Sequence, residues 1–427
     1  IGVVAGLAIS LGLSFGVGMV PAQEAPLPDT VPLVTAISRT CPVTDLAPAT
    51  LVAASSDGEI RLRLVGEQRF IEEPGPLWLD ERTAPTVISP TEPQASVVGG
   101  HLVTTDNQLW WGACRAPLAD QYVQLPGGAD SRLTIINPEP DDALVDVTLS
   151  GPEGEITGDG LRGLTVPGDG QLVIELADHD QGTEALGARV RSSVGRVLAV
   201  GQVSRHTGGD FASSTLQGTA VVIPALPADP ASTKLLLTNP GTNRNVVTIE
   251  AVSEAGRYVL EGYESFALDA QRTISLDLTA PIAGSPVALI VTARDDFAAT
   301  AVVQVGDDLA IEPGVMDDQS VTAQDLVAVI AGPGLLQLAN PGQGEALVVI
   351  DWGAGQAPAN RTIEPGAIAS IEIPAGASLA RVSSTAPIAG AVVLTLPERS
   401  GIAMVALHAA ARPQASMPMQ VEPGLGR

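Results

Sequence analysis

The chain carries four histidines, His101, His179, His206 and His408, and two cysteines, Cys41 and Cys114. No two histidines stand at metal-ligand spacing, and two thiols are too few for a thiolate zinc cluster. A nucleophilic triad needs one of these imidazoles beside a serine and a carboxylate in space, and no motif pairs them. His206, flanked by Arg205 and Thr207-Gly208-Gly209-Asp210, is the most suggestive of the four and is expected in a loop. Gly12-Leu13-Ser14-Phe15-Gly16 has the nucleophile-elbow pattern but lies inside an apolar run that cannot supply the strand, turn and helix an elbow requires. Gly158-Asp159-Gly160-Leu161-Arg162-Gly163 has dinucleotide-fingerprint spacing, yet Pro167-Gly168 follows where a helix N-terminus would have to receive the pyrophosphate. A turn is expected there. On these grounds the sequence assigns no catalytic residue, no cofactor and no metal.

Two weaker signals concern binding. Asp178-His179-Asp180-Gln181-Gly182-Thr183-Glu184 gathers oxygen ligands without EF-hand spacing, and Asp295-Asp296, Asp307-Asp308 and Asp317-Asp318 are alike in kind. Solvated acidic loops are the default reading, with calcium as the sharper one. Trp110-Trp111 could form an aromatic contact surface of the kind sugars stack on. The alternative is that one ring packs on a disulfide, as in antibody-type domains. Neighbouring side chains on a strand point to opposite faces, so both rings are not expected in the core.

The elements that must position these residues are strands. Of 427 residues, 45 are Gly and 34 Pro, set between short apolar stretches, while aromatics make up only 3%. Cores must therefore be built from Val, Leu, Ile and Ala. Asn-Pro recurs at Asn137, Asn239 and Asn340, spaced by 102 and 101 residues. Four and two positions before each Asn stand apolar residues: Leu133 and Ile135, Leu235 and Leu237, Leu336 and Leu338. Alternation resumes after it with Val145, Val147 and Leu149, then Val247, Ile249 and Ala251, then Val348, Ile350 and Trp352. A third strand follows in each copy, and Ala188-Arg189-Val190 and Ala380-Arg381-Val382 open a later one. Six or seven short strands per unit approach the number in an immunoglobulin-like sandwich. Pro ends the first strand of this pattern because it lacks an N–H, and Asn tolerates the turn, so the dipeptide is assigned a mechanical role.

Net charge is −26 and Lys234 is the only lysine, which disfavours nucleic acid and anionic membrane faces as partners. Residues 1–20 are uncharged and long enough for an uncleaved anchor, while Val20-Pro21-Ala22 would permit cleavage after Ala22. Either way residues 24 onward are expected outside the cytoplasm, where Cys41 and Cys114 should oxidise to a disulfide that stabilises by about 4 kcal/mol.

The series Leu-x-Leu-x-Asn-Pro, an alternating strand, Gly151-Pro152-Glu153-Gly154 and later Val166-Pro167-Gly168 resembles an actinobacterial family filed as domain of unknown function 5719. The resemblance covers most of residues 38–410, including Cys41-Pro42 and Cys114-Arg115-Ala116-Pro117. It implies an envelope protein of a high-GC Gram-positive organism with an N-terminal membrane segment and no assigned reaction. The second copy departs from the pattern with Leu268-Asp269-Ala270 in place of a Pro-Gly turn.

The expectation is an all-β chain of tandem immunoglobulin-like β-sandwich modules after an N-terminal transmembrane or signal-anchor helix. Its parts are a membrane or signal segment (1–22), a Pro-rich spacer (23–37), a diverged disulfide-linked module (38–120), repeats at 121–225, 226–327 and 328–411, and a tail (412–427). It would be a non-catalytic cell-envelope protein, membrane-held through residues 1–20 or secreted. Its partners would be envelope proteins or cell-wall polymers. The rival is a carbohydrate- or wall-ligand-binding module, helped by calcium.

Overall fold

In a computed structural model of the protein, the described residues run from 38 to 410 with short interruptions at 43–48, 68, 81–83, 93–94, 106, 128–129, 159, 180–181, 206–207, 317–322, 354 and 397–400. The anchor, spacer and tail expected at 1–22, 23–37 and 412–427 lie outside them. Among the described residues no helix is long and apolar enough to cross a membrane.

The architecture is all-β. In the first Asn-Pro repeat, the strands Asp120–Pro126, Ala185–Val194 and Ala143–Gly151 pair antiparallel, and the short edge pieces Gly154–Ile156 and Leu164–Val166 complete that sheet. A second sheet runs Gly170–Glu175, Asp130–Asn137, Leu198–Arg205, Gly208–Ser213. Alternation decides which side chains enter: Ala143, Val145, Val147 and Leu149 are buried while Leu144 points out. Between the two sheets they meet Leu133, Ile135, Val190 and Ala199.

The same pairing order recurs in all four modules. In the two later repeats the sixth and seventh strands merge into one, Val287–Val305 and Leu379–Thr395, which leaves the first sheet and enters the second. The disulfide-linked module, without Asn-Pro, repeats the order through Arg39–Cys41, Thr86–Pro90, Glu59–Leu64 and Ile71–Pro74 in one sheet. Leu77–Asp80, Ala49–Ser55, Val97–Thr104 and Leu109–Ala113 form the other. In each module the seventh strand pairs with the second and the eighth, which is not the immunoglobulin order. The strands Gly218–Leu226 and Ala323–Val329 pair with the units that follow them, so each repeat begins earlier than the expected positions 226 and 328.

The Asn-Pro asparagine does more than tolerate a turn. Asn239 is buried; its Nδ2 donates to the carbonyls of Asn243 (2.9 Å), Leu268 (3.0 Å) and Asp269 (3.1 Å), and its Oδ1 accepts from Gly241 N (3.0 Å). Asn340 repeats these contacts, Asn137 repeats them with two carbonyls, those of Asp141 and Val166, and Ser55, at the equivalent register of the first module, accepts from Asp57 N. The amide thus closes the turn and ties it to the segment before the fifth strand. With several buried groups orphaned at once, Asn239→Ala should lower unfolding free energy by about 3 kcal/mol. Asn239→Asp should cost at least as much, since it sets a carboxylate oxygen against three carbonyls. Urea unfolding of both variants is the check.

The modules close into a propeller-like ring. The eighth strands Leu109–Ala113, Gly208–Ser213, Asp308–Pro313 and Ile402–Ala406 pack against one another in sequence, and the last lies against the first. Apolar clusters span each junction. Trp110 and Val103 meet Ile136, Leu198 and Phe211; Val123 and Ala212 share a cluster with Leu236 and Ile311; Val221 and Ala310 share one with Val393 and Met404. The closing junction sets Val52, Ala54, Val98 and Trp111 against Leu326, Ala328, Val392 and Val405. Polar ties reinforce it. Arg63 Nη2 reaches the Pro138 carbonyl (2.6 Å), Gln124 bridges to Leu236, Thr238, Ala298 and Thr300, Arg257 Nη1 reaches the Pro341 carbonyl (3.0 Å), and Arg381 Nη2 reaches Ser55 O (3.4 Å).

Candidate functional site

The ring axis is where the chemistry gathers. Each eighth strand is the edge of its own sheet, so the N–H groups on its free side point at the axis, away from water, and need acceptors that no ladder supplies. Carboxylates provide them. Asp210 accepts from Trp111 N through Oδ1 (2.8 Å) and from Ile311 N through Oδ2 (2.8 Å), joining its strand to both neighbours. Asp308 Oδ2 accepts from Leu109 N across the axis (2.9 Å) and from Ile402 N of the next module (2.8 Å). Burial pushes the Asp210 carboxyl well above the ordinary range, against the pull of the Trp111, Ile311 and Phe211 N–H groups and with a further push from Asp308. Burial likewise raises Asp308 to about 6, against the pull of the Leu109, Ile402 and Leu309 N–H groups.

Near the last residues of the eighth strands, one polar side chain from each module lines a small cavity: Arg115, Ser213, Glu312 and His408, with Trp111, Pro313 and Met404 among its apolar walls. Arg115, paired to Thr40, and His408, paired to Val327, hold the same structural position in the first and fourth modules. Glu312 is 1% exposed; its Oε1 and Arg115 Nε are buried and make no hydrogen bond. Burial raises the Glu312 carboxyl to about 8, with Arg115 pulling the other way. Burial also lowers the Arg115 guanidinium, opposed by Glu312, and holds His408 well below its ordinary 6.5, assisted by Arg39 and Arg115.

These shifts fix a pH dependence. A carboxyl that binds its proton more tightly folded than unfolded withdraws stability as it ionises. Glu312 therefore destabilises progressively from its ordinary 4.5 up to about 8. His408 acts in the opposite sense, with stability lost as pH falls below 6.5. From about 6.5 to 8 the Glu312 descent adds to that of the buried Asp210 carboxyl, which is raised in the same sense, and Glu312→Gln should remove the Glu312 share and make the descent shallower while leaving stability below pH 5 nearly unchanged. Thermal unfolding across that range measures it.

The residues singled out from sequence fall elsewhere. Cys41 and Cys114 are joined in a disulfide. Trp110 and Trp111 are 3% and 5% exposed, so neither offers a stacking surface, and neither lies in the apolar cluster around the disulfide. Both are buried because their strand has a neighbouring module on each face: Trp110 packs edge-on against Phe211 with ring centroids 5.8 Å apart, while Trp111 enters the closing junction. Glycines make room for them, since a methyl on Gly100 would press into the Trp111 ring and one on Gly209 into the Trp110 ring. The stretch after His206, expected as a loop, is the axial strand Gly208–Ser213; His206 itself lies outside the described residues. His101 is buried with Nδ1 against the Pro42 carbonyl. Gly163 leads into the strand Leu164–Val166, which leaves no helix to receive a pyrophosphate. No group of three or more His, Cys, Asp or Glu poised to hold a metal ion occurs among the described residues, which do not include Asp180, Asp317 and Asp318.

Comparison with known proteins assigns the family. The model of the family of unknown function DUF5719 matches residues 109–380, more than half of the chain. The chain belongs to DUF5719. Those residues take in the axial strands of the first three modules and stop within the sixth strand of the last. No curated protein matches the sequence. Among solved structures, the chain is 10% identical to the Streptomyces avermitilis alpha-L-rhamnosidase complexed with L-rhamnose, with 84% of this chain and 54% of that chain covered and a TM-score of 0.14. It thus spans about half of the rhamnosidase. It is 8% identical to the structure of the infectious bursal disease virus Gx strain, with 94% and 90% covered and a TM-score of 0.16. Scores that low place this DUF5719 member in neither fold and lend it neither protein's properties.

Proposed function

We propose that the protein is a non-catalytic, extracytoplasmic scaffold of the cell envelope whose outer strands receive a protein partner. The observation that carries this reading is a set of apolar residues on the solvent face of the same strand in three modules. Leu144, Val246 and Leu347 each stand seven residues after their Asn-Pro asparagine and are 39%, 41% and 50% exposed. Val194 stands opposite Leu144, and Val349 continues the row from Leu347; both are exposed. The solvent face of an antiparallel strand is ordinarily polar, so an apolar residue kept there in successive copies supports a contact surface. The disulfide and the uncharged first twenty residues support the compartment. The wall-polymer reading loses its aromatic platform to the ring interior.

A photocrosslinking residue placed in turn at 144, 246 and 347 in intact cells should capture the same protein. The triple variant Leu144→Ser, Val246→Ser, Leu347→Ser should lose that partner with unchanged thermal stability. A triple variant that retains the partner, or a chain retained only by purified wall glycan, overturns the proposal.

A further inference from the structure

We infer that Asp57 is a modification site: its carboxyl group condenses with the Gly58 nitrogen to a succinimide that reopens as isoaspartate, a covalent ageing step beside the closing junction of the ring. The inference is independent of the outer-strand contact proposed above.

Asp-Gly occurs three times, at Asp57-Gly58, Asp159-Gly160 and Asp169-Gly170. Asp159 lies outside the described residues, and the other two pairs are held in opposite ways. Asp57 sits in the exposed turn between the strands Ala49–Ser55 and Glu59–Leu64. Gly58 N donates to Asp57 Oδ1 (2.9 Å), so the nitrogen stands at most about 4 Å from Cγ, the carbon it must attack. The N–H points at the carboxyl group, and the lone pair left when that proton departs points there as well. Ser55 Oγ accepts from Asp57 N (3.3 Å) and donates to the Asp57 carbonyl, which fixes the backbone on both sides of the reacting side chain. Gly58 has a φ of 68°, and a Cβ there would meet Glu92 Cγ at 2.8 Å. Glycine is therefore required by the turn, and it leaves the nitrogen with no side chain to hinder its approach.

Asp169 is the internal contrast. Its Oδ1 accepts from Arg63 Nη1 (2.8 Å), and Gly170 opens the strand Gly170–Glu175 opposite Asn137. The carboxyl group is committed to an arginine and the glycine to a ladder, so the two do not meet in an attacking geometry. Differences in positioning of this kind change rates by orders of magnitude. The equivalent turns of the three repeats are closed to the reaction by sequence, since their asparagines are followed by proline, whose nitrogen carries no hydrogen to lose.

The step balances without a co-reactant. Gly58 N bonds to Asp57 Cγ, and the carboxyl hydroxyl leaves as water with the proton from that nitrogen. Water then adds to either ring carbonyl. Breaking the bond from the main-chain carbonyl carbon to Gly58 N leaves isoaspartate, whose backbone runs through Cγ and is one methylene longer; breaking the bond from Cγ restores aspartate. The added methylene cannot keep the Ser55 contacts of the turn. The Ser55 carbonyl is also the acceptor for Arg381 Nη2 across the closing junction (3.4 Å), and Ser56 N donates to Ser96 O (2.8 Å), so isomerisation should loosen both.

The test incubates the folded full chain in water enriched in oxygen-18, because each passage through a succinimide writes one heavy oxygen into the product. After digestion in ordinary water, tandem mass spectrometry reads the label and the isoaspartate at each Asp-Gly pair. Label at Asp57 should exceed that at Asp169 by at least about tenfold. In the reduced chain in concentrated guanidinium chloride, where neither geometry persists, the two should agree within about threefold. Amide exchange at Ser56 should quicken in the aged chain and stay unchanged in Asp57→Glu aged beside it, since glutamate would have to close a larger ring. Equal label at Asp57 and Asp169 in the folded chain, a tenfold excess that persists in the unfolded chain, or the same quickening in Asp57→Glu overturns the inference.

Discussion

Asp210→Ala should lower unfolding free energy by about 3 kcal/mol, among the largest losses any single substitution outside the apolar core can produce here. Two buried N–H groups, on Trp111 and Ile311, lose their acceptor together, and each belongs to a different neighbouring module. Relief from burying a charge offsets part of the loss, which is why the figure falls below the sum of two orphaned donors. Asp210→Asn should recover little of it, because an amide presents one acceptor oxygen and turns its NH2 toward the other N–H. Glu175→Ala, on an exposed edge, should change stability by less than about 0.5 kcal/mol. Urea unfolding of the three variants makes the comparison. Equal, small effects for Asp210 and Glu175 would contradict the account of the axis.

Replacing both cysteines, Cys41→Ser with Cys114→Ser, should remove about 4 kcal/mol, the chain-entropy value for a closed loop of this length. The topology says why the first module needs a covalent closure. In the three repeats the first strand is long: Asp120–Pro126, Gly218–Leu226 and Ala323–Val329 run seven, nine and seven residues. In the first module it is Arg39–Cys41, three residues, bridged by Thr40 to Arg115. Cys114 adjoins that bridge, so the disulfide holds first strand to last where the ladder is too short to do so. A double-serine chain as stable as the oxidised protein would show that the short ladder suffices alone.

Periodic features were legible in the sequence, and features without a period were not. The Asn-Pro spacing and the alternation around Val145, Val247 and Val348 locate the repeats, because those strands bury one face and wet the other. The Leu-x-Leu-x-Asn-Pro series carried the resemblance to the DUF5719 family that the match over 109–380 establishes. The axial strands Leu109–Ala113, Gly208–Ser213, Asp308–Pro313 and Ile402–Ala406 are buried on both faces, and such strands show no alternation to read. For the same reason Trp110 and Trp111, adjacent on one strand, are both interior. An aspartate inside a short apolar segment, as in Gly209-Asp210-Phe211, was the one available hint of a buried acceptor. It is indistinguishable by sequence from a loop carboxylate. Ring closure pairs residues more than 300 positions apart, such as Arg381 with Ser55, and no local pattern encodes that.

Closure of the ring is therefore the claim on which the axial site, the double burial of the tryptophans and the role of Asp210 all depend. Spin labels at residues 57 and 383, with the Cys41–Cys114 bond left oxidised, test it by pulsed electron resonance. Each label lies two residues, about 7 Å of chain, from the contacting pair Ser55 and Arg381. A single separation of roughly 25 Å or less is the expected result, allowing for the label arms. A distribution centred beyond about 60 Å, the span of two intervening modules in an open array, would contradict it.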